Sequence, residues 1–474
     1  MYGDFSRLTY SRDKRYTAVW SQQGRVQLDA DANEQTAILL DWLRTLAVDF
    51  IGPFGGHVVR AGFRVGLKDG ELTFSRGHYY VYGLRCENPE PASRGAAAVT
   101  YRDLAGAAGD SLPKPPYLVE LLVWERSVSA VTDPGLLEPA LGPYPPDTTV
   151  RSQLAWMPRL SQALPGPEGR ALHGVPAREL SAEHISRAFD EYNSGGRKRP
   201  ELAARVDREA GTDEATIVPA TSGYLGVENQ LYRVEVHIGS SADGSADGSP
   251  TFKWSRDNGS AEFRIVAVAE SERADDRRKD ADELITVTVF SLGRDDRTGL
   301  EVGDWVELVD DASVPLGPPP PLLQVHAIER AGLTVTLSGK LPRADLALHP
   351  YLRRWDQGAD SQAGPDGIPV VESSASGGGN IWLDLEDGVQ VRFAARGADY
   401  QTGDYWLIPA RTATGGLLWP GGAHPEAIGP HGPDRYLVPL ALVRETGKEP
   451  EDMRTLFTHL AWPEPDRPDD SKSG

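Results

Sequence analysis

The sequence predicts a mainly β, multidomain (α+β) protein, with short antiparallel sheets, a small barrel-like module, an N-terminal helix and a helical insertion. Three observations predict this fold. Many short runs alternate apolar and polar residues, which is the period of a half-buried strand. The chain holds 50 Gly and 37 Pro, and this high content indicates many turns. Its 474 residues allow about three domains of ordinary size.

Charge and cysteine content exclude several classes of protein. The net charge is −20, which repels phosphate backbones and anionic lipids, so we expect no nucleic-acid partner and no membrane insertion. Cys86 is the only cysteine, so an intrachain disulfide or a cysteine-rich metal site is impossible. The N-terminal residues lack the apolar stretch of a secretory signal. We therefore expect a cytoplasmic product without a signal peptide.

Changes in pattern along the chain predict six segments. They are an N-terminal arm and helix (1–57), a small β module (58–132), a Pro/Gly-rich connection with short helices (133–215), a β domain with a hairpin and a barrel-like part (216–350), a C-terminal β domain (351–462) and a disordered tail (463–474).

The N-terminal helix is predicted in the run QLDADANEQTAILLDWLRTLAVDFIG and ends at Gly52-Pro53. Asp29, Asp31 and Asn33 are candidate N-caps. Apolar residues recur in this run at three- and four-residue steps. We therefore expect one buried face, made of Ile38, Leu39, Trp42, Leu43, Leu46 and Val48.

Short strands follow the helix. Residues 60–88 contain the runs FRVGL, ELTF and HYYVYGL, separated by glycine-containing turns. The run PYLVELLVWE is apolar on both faces, which predicts a central strand. In the helical insertion, Ser181 is the predicted cap of SAEHISRAFDEYNSGG, with Ile185 and Phe189 on one face, and a second short helix is predicted to begin at Pro200.

The second half of the chain is predicted to be mostly β. YRVEVHI alternates strictly, which places Tyr232, Val234, Val236 and Ile238 on one side of a strand. Two β-rich arms flank 257–259 (Asp-Asn-Gly), and Asn-Gly supplies the positive φ angles of a tight hairpin turn. Four or five short strands with Gly-Asp turns follow, and they predict a small closed barrel.

The sequence contains no pattern that amounts to an active site. Residues 29–33 begin like a calcium-binding loop, but Glu34 and Leu40 stand where such a loop needs glycine and glutamate. Ser11-x-x-Lys14 lacks the companion motifs of serine–lysine acyltransferases. Carboxylates beside aromatic residues are candidates for glycoside hydrolysis or, equally, for turns and solvent-facing strand positions: Asp257, Asp384, Glu386 and Asp404. We expect no enzyme, no cofactor and no metal site.

Four stretches carry a resemblance to known proteins. GDFSRLTYSRDKRYTAVWSQQGRVQLDADANEQ, TFKWSRDNGSAEFRI and ADYQTGDYWLIPARTATGGLLWP resemble an uncharacterised bacterial domain family encoded in gene clusters for phage-tail-like contractile injection systems. LTFSRGHYYVYGLRCEN is similar to a small β module of phage baseplate and fibre proteins. The resemblance implies a structural role in or on the baseplate, other particle subunits as partners, and a symmetric homo-oligomer within the particle. It implies no catalytic residues.

These observations predict a subunit that works by contact with other proteins. The interface residues that we predict are Tyr10, Tyr16, Trp20, Trp254 and Arg256. For the last two, the alternative is that Trp254 packs in its own core and that Arg256 makes an internal ion pair. Two other functions remain open: a target-surface or carbohydrate-binding fibre-like module, and a cell-wall glycoside hydrolase.

Overall fold

Strands dominate the chain, which confirms the predicted fold class. The computed structural model describes residues 1–458 except 90–97, 104–111, 143–145, 167–169, 177–179, 197, 207–222, 241–248, 270–283, 294, 296, 314–318, 340–344, 359–362, 374–380, 395–396 and 423. The predicted tail, 463–474, lies outside the described residues. By its internal contacts the chain divides into two compact units. The first comprises Met1–Ala37, Glu125–Gln153 and Lys198–Asp434, and the second Ile38–Trp124, Leu154–Arg197 and Arg435–Gly474.

The described residues contain two α-helices, α1 (Asp29–Ile51) and α2 (Ala182–Glu191). The strands up to residue 206 are β1 (Phe54–His57), β2 (Val65–Lys68), β3 (Glu71–Ser75), β4 (Gly77–Val81), β5 (Leu84–Asn88), β6 (Ala98–Thr100), β7 (Tyr117–Val128), β8 (Arg151–Ser161) and β9 (Leu202–Val206). The next are β10 (Gln230–Val236), β11 (Thr251–Ser255), β12 (Glu262–Val268), β13 (Leu284–Val289), β14 (Trp305–Val309), β15 (Leu323–Glu329), β16 (Thr334–Ser338) and β17 (Tyr351–Trp355). The last are β18 (Ile368–Pro369), β19 (Glu372–Ser373), β20 (Leu383–Asp384), β21 (Val389–Ala394), β22 (Tyr405–Arg411), β23 (Gly416–Leu417), β24 (Arg435–Val443), β25 (Glu451–Asp452) and β26 (Leu456–Phe457).

The sheets of the second unit are small. Their strand orders are β26-β1-β4-β5, β2-β3-β6 and β25-β24-β7-β8. Strand β7 lies inside the last sheet, and its residues 117–124 are all buried because the run is apolar on both faces except at Glu120. The predicted central strand is confirmed.

The helical insertion forms as predicted. Ser181 lies at the N-cap of α2 and its side-chain oxygen accepts a hydrogen bond from the backbone N–H of His184. Ile185 and Phe189 are fully buried on one helix face. The short helix predicted from Pro200 is wrong, because Leu202–Val206 instead pairs as β9 along the edge of β21. Strand pairing there overrides local helix propensity.

The first unit contains two sheets that share one core. One sheet has the order β18-β11-β10-β22-β23, and the other has the order β19-β21-β20 with β9 also paired to β21. Large side chains from both sheets fill the space between them, among them Tyr232, Val234, Trp254, Phe393 and Trp406. Alternating residues of β10 therefore bury the apolar face that the sequence predicts, and alternating residues of β22 pack against the same core.

A closed barrel is present in the first unit, as predicted, but it has six strands rather than four or five, because β12 and β17 also belong to it. Six strands close in the order β12-β13-β16-β15-β14-β17. Aliphatic side chains fill the interior, including Val287, Val306, Val325, Val335 and Leu352. β-bulges interrupt β12 and β15, and such irregularities let a small sheet curve enough to close.

The turn at 257–259 has the predicted backbone but not the predicted pairing. Asn258 and Gly259 have φ angles of 55° and 64°, as an Asn-Gly turn requires. The arms on either side do not form one hairpin, because β11 pairs with β10 and β18 whereas β12 pairs with β13 and β17. The turn is therefore the point where the chain leaves the sheet and enters the barrel.

Candidate functional site

Helix α1 exposes a row of apolar side chains. Successive residues of a helix are about 100° apart, so positions 39, 43, 46 and 50 fall within about 60° of one another around the axis, with position 42 beside them. The five side chains there are between 49% and 63% exposed. We call this set the apolar stripe: Leu39, Trp42, Leu43, Leu46 and Phe50.

The other side of the same helix is packed against protein. Val48, about 180° around the axis from Leu39, is half-buried, and Ile38, on the flank about 40° from Trp42, is 1% exposed. The backbone of Arg44 comes so close to Gly83, in the turn between β4 and β5, that a Cβ atom on Gly83 would lie 2.5 Å from the Arg44 carbonyl oxygen. Gly83 has a φ of 78° and lacks a Cβ, so it permits this approach.

The prediction for the buried face of α1 is therefore mostly wrong. Of the six residues expected on it, Ile38 is buried and Val48 half-buried, but Leu39, Trp42, Leu43 and Leu46 are exposed. The apolar period predicts that a helix has an apolar face, and it does not predict what covers that face. Here no described residue covers it, which makes the apolar stripe the strongest candidate for a contact surface.

The N-terminal arm lies along the first turns of α1. Ser6 N–H donates to the carboxylate of Asp29 at 2.9 Å, and Val19 N–H donates to the Gln35 side-chain oxygen at 2.7 Å. Of the predicted interface residues in the arm, the structure leaves Trp20 86% exposed, Tyr16 exposed and Tyr10 half-buried. Their role in an interface stays a prediction.

The other two predicted interface residues make internal contacts. Trp254 is 3% exposed, and its ring lies 6.2 Å from that of Tyr232 in the core of the first unit. The Arg256 guanidinium donates to both carboxylate oxygens of Glu386, at 2.9 and 2.7 Å. These positions match the alternative given above for the two residues. Whether either also contacts a partner stays a prediction.

A set of charged side chains is buried on the face of β10 that lies opposite its apolar residues. We call it the charged cluster. Glu262 is half-buried, and the other five members are at most 8% exposed: Arg233, Glu235, Lys253, Glu307 and Arg353. Arg233 Nε lies 2.6 Å from Glu235 Oε2, Lys253 Nζ 2.7 Å from Glu307 Oε2, and Arg353 Nη2 2.7 Å from Glu262 Oε1. Each cation thus has a carboxylate partner.

The side chain of Tyr2 enters the charged cluster. The Arg233 and Arg353 guanidinium carbons lie 3.9 and 3.5 Å from the centre of its ring, and its hydroxyl donates to Glu235 at 2.8 Å. Burial raises the pKa of Glu235, but the charges of Arg233 and Lys253 outweigh this effect and lower the pKa to about 2. Glu235 therefore stays ionised, and its hydrogen bond with Tyr2 holds the arm to the sheet.

The charged cluster was not predicted from the sequence. The strict alternation of β10 suggests that Arg233 and Glu235 face solvent, because charged residues are rarely buried. One signal was present in the sequence: the neighbouring run TFKWS also carries a charge between apolar residues, and Lys253 is the cross-strand partner of Glu235.

A polar cavity of about 290 Å³ lies beside the charged cluster, at the end of β17. Three arginines line it, and their charges are already matched: Arg256 by Glu386, Arg297 by Glu228 at 3.6 Å, and Arg354 by Asp356 at 3.1 Å. Burial raises the pKa of Asp304, which also lines the cavity. The cavity has room for a small polar molecule, but its cations already have anionic neighbours.

The carboxylates named as candidates for hydrolysis each have a structural partner. Asp257 accepts a hydrogen bond from Ser255, Asp384 from Gln390, Glu386 from Arg256, and Asp404 from the backbone N–H of Gln401. Within the described ranges, no group of three or more His, Cys, Asp or Glu side chains is placed to hold a metal ion. Neither described helix is long and apolar enough to cross a bilayer.

Comparison with known proteins identifies a family but no relative of known function. The chain matches none of the curated proteins and none of the solved structures with which it was compared. One family model matches residues 1–171 and 179–438, which is most of the chain. This match covers both the N-terminal arm with α1 and the sheets and barrel of the first unit. The protein therefore belongs to DUF6519, a family of unknown function.

Proposed function

We propose that this protein is a structural subunit of a phage-tail-like contractile injection system and assembles in or on the baseplate through contacts with other proteins. The observation that carries the proposal is the apolar stripe of α1. The resemblance of the three sequence stretches is the reason for naming a contractile injection system as the particle. We expect the chain to be made in the cytoplasm, to enter the particle there and to catalyse no reaction.

Exposure of an apolar row to water is unfavourable, and such a row on a folded protein commonly marks an interaction site. Burial of a large apolar side chain contributes about 1.5–3 kcal/mol, so five such side chains on one helix face are a substantial source of binding energy. Trp42 and Phe50 are aromatic, and aromatic side chains are enriched at protein interfaces. These properties suit a docking surface for another protein.

The charged cluster supports a structural role for the first unit. Its cations and carboxylates bind one another, and Tyr2 is held between two of the arginines. Such a network fixes the geometry of a protein that must present surfaces in defined positions. Each described member of the cluster has a partner of opposite charge within it, so none needs a charged substrate as its partner.

Copurification tests the proposal directly. The tagged chain is produced in a bacterium whose genome carries its gene beside sheath and tube genes, and contractile particles are isolated by ultracentrifugation. We expect the chain in the particle fraction. A Leu43→Ser/Leu46→Ser double variant should reduce its amount about tenfold or more, because two apolar contacts are lost.

The matched control is Leu40→Ser, a Leu-to-Ser change on the same helix but about 100° around the axis from Leu39. This variant should enter particles at nearly the wild-type level. Circular dichroism checks that all three proteins are folded. Particles that contain sheath and tube but lack the wild-type chain would overturn the proposal.

A further inference from the structure

The apolar stripe has the shape that fits another α-helix. Its residues follow steps of three and four along α1, and from Leu39 to Phe50 they cover about 17 Å of helix length. Such a row packs between the side-chain ridges of a second helix. An added strand is unsuitable, because the backbone N–H and C=O groups within a helix already bond to each other and offer no edge.

The charges of α1 restrict the partner further. The helix carries five acidic residues and one basic residue, Arg44. Asp49 is exposed and lies about 20° around the axis from Trp42, so it borders the apolar stripe. The whole chain has a net charge of −20. A second copy of this chain would bring an equally acidic helix to the contact, whereas a cationic helix would be attracted.

We propose that the apolar stripe binds a cationic amphipathic helix of a different protein, whose Lys or Arg side chains flank its apolar face and approach Asp49. This inference rests on the proposed function and names the chemistry of the partner. Apolar contacts between the two helices supply the affinity, and the charges select the partner and its orientation.

Two synthetic helices test the inference with the full-length chain. Both are fluorescent 20-residue peptides with leucines at three- and four-residue spacing; in one the polar positions are Lys, and in the other they are Glu. Fluorescence anisotropy at low salt should show binding of the Lys peptide at least about tenfold tighter than of the Glu peptide, and added salt should reduce the difference.

Variants separate binding at the stripe from general attraction to an acidic protein. Leu43→Ser/Leu46→Ser should weaken binding of the Lys peptide about tenfold, while Leu40→Ser should leave it within about twofold. Asp49→Asn should weaken the Lys peptide by about twofold to fivefold and leave the Glu peptide unchanged. Equal affinity of the two peptides, or an unchanged affinity in the double variant, would overturn the inference.

Other occupants of the stripe are tested with the same proteins. At pH 8, sedimentation velocity should find no dimer that the double variant abolishes, and vesicles containing anionic phosphatidylglycerol should not retain the chain. A dimer or vesicle binding that depends on Leu43 and Leu46 would overturn the choice of a cationic protein. If particles retain the chain but the two peptides bind equally, the proposed function stands and only the partner chemistry is wrong.

Discussion

Glu120 carries a carboxyl group into the centre of an apolar strand. It lies on β7 and is 2% exposed. Burial raises its pKa from 4.5 to about 8, although the charge of Arg159 lowers it somewhat. The folded protein therefore holds a proton on Glu120 at pH values where the unfolded chain has lost it. As the pH rises from about 4.5 to about 8, this difference reduces the free energy of unfolding.

We predict that Glu120→Gln removes this loss. The wild type and the variant should have similar stability near pH 4.5, and at pH 7 the variant should be more stable by about 3 kcal/mol, since glutamine does not ionise. Urea unfolding followed by fluorescence at several pH values gives the two curves. All other titrating groups are shared, so the difference between the curves isolates Glu120. Parallel curves would contradict a raised pKa for this carboxyl group.

Asn258 shows that the sequence can predict the backbone conformation of a residue but not the partners of its side chain. Its positive φ was predicted from the Asn-Gly pair, because that turn chemistry is local. The bonds of its side chain were not predictable. The amide nitrogen donates to the carbonyl oxygens of Met1 and Gly3, and the amide oxygen accepts from Arg233. These partners lie more than 20 residues away in sequence, and no local pattern identifies them.

At the scale of the element, α1 carries both a buried and an exposed apolar residue whose truncation can be compared. Ile38 is 1% exposed and Leu43 is 63% exposed, although the sequence placed both on one buried face. We predict that Ile38→Ala lowers the free energy of unfolding by about 2–5 kcal/mol. Leu43→Ala should change it by no more than about 0.5 kcal/mol, because an exposed side chain loses little on truncation.

Thermal and urea unfolding of these two variants measure both changes. The substitutions remove similar apolar volume from the same helix and end in the same residue, alanine, so a difference in helix propensity does not explain a large gap. Equal destabilisation by the two changes would mean that protein covers Leu43, and the apolar stripe would then be no docking surface.

Local chemistry predicted which helices and strands form, but it did not predict which strands pair with each other. The Ser181 cap of α2, the buried strand β7 and the short strands of the barrel all depend on residues close together in sequence, and all three are present. The predicted hairpin failed because β11 and β12 pair with strands that lie elsewhere in the chain. The charged cluster was missed for the same reason, since its burial requires Tyr2, β10 and the barrel together.

At the scale of the whole molecule, net charge disfavours the association of free copies of the chain through their exposed apolar surfaces. The net charge of −20 opposes contact between exposed apolar surfaces of two copies at neutral pH. The pI is about 5.0, so this repulsion disappears in mild acid. We expect the exposed apolar stripe on α1 then to be the surface at which copies associate.

We predict that light scattering of the wild-type protein rises near pH 5.0 and is low at pH 8. Leu43→Ser/Leu46→Ser should scatter clearly less than the wild type near pH 5.0, whereas Leu40→Ser should match the wild type, because only the double variant breaks the apolar stripe. None of these substitutions changes the net charge, so all three proteins lose their repulsion at the same pH. If the double variant scattered as strongly as the wild type, the association would arise elsewhere on the molecule. If the double variant scattered less, a single helix face would govern contacts between copies in acid, as we propose that it governs contact with a cationic partner at neutral pH.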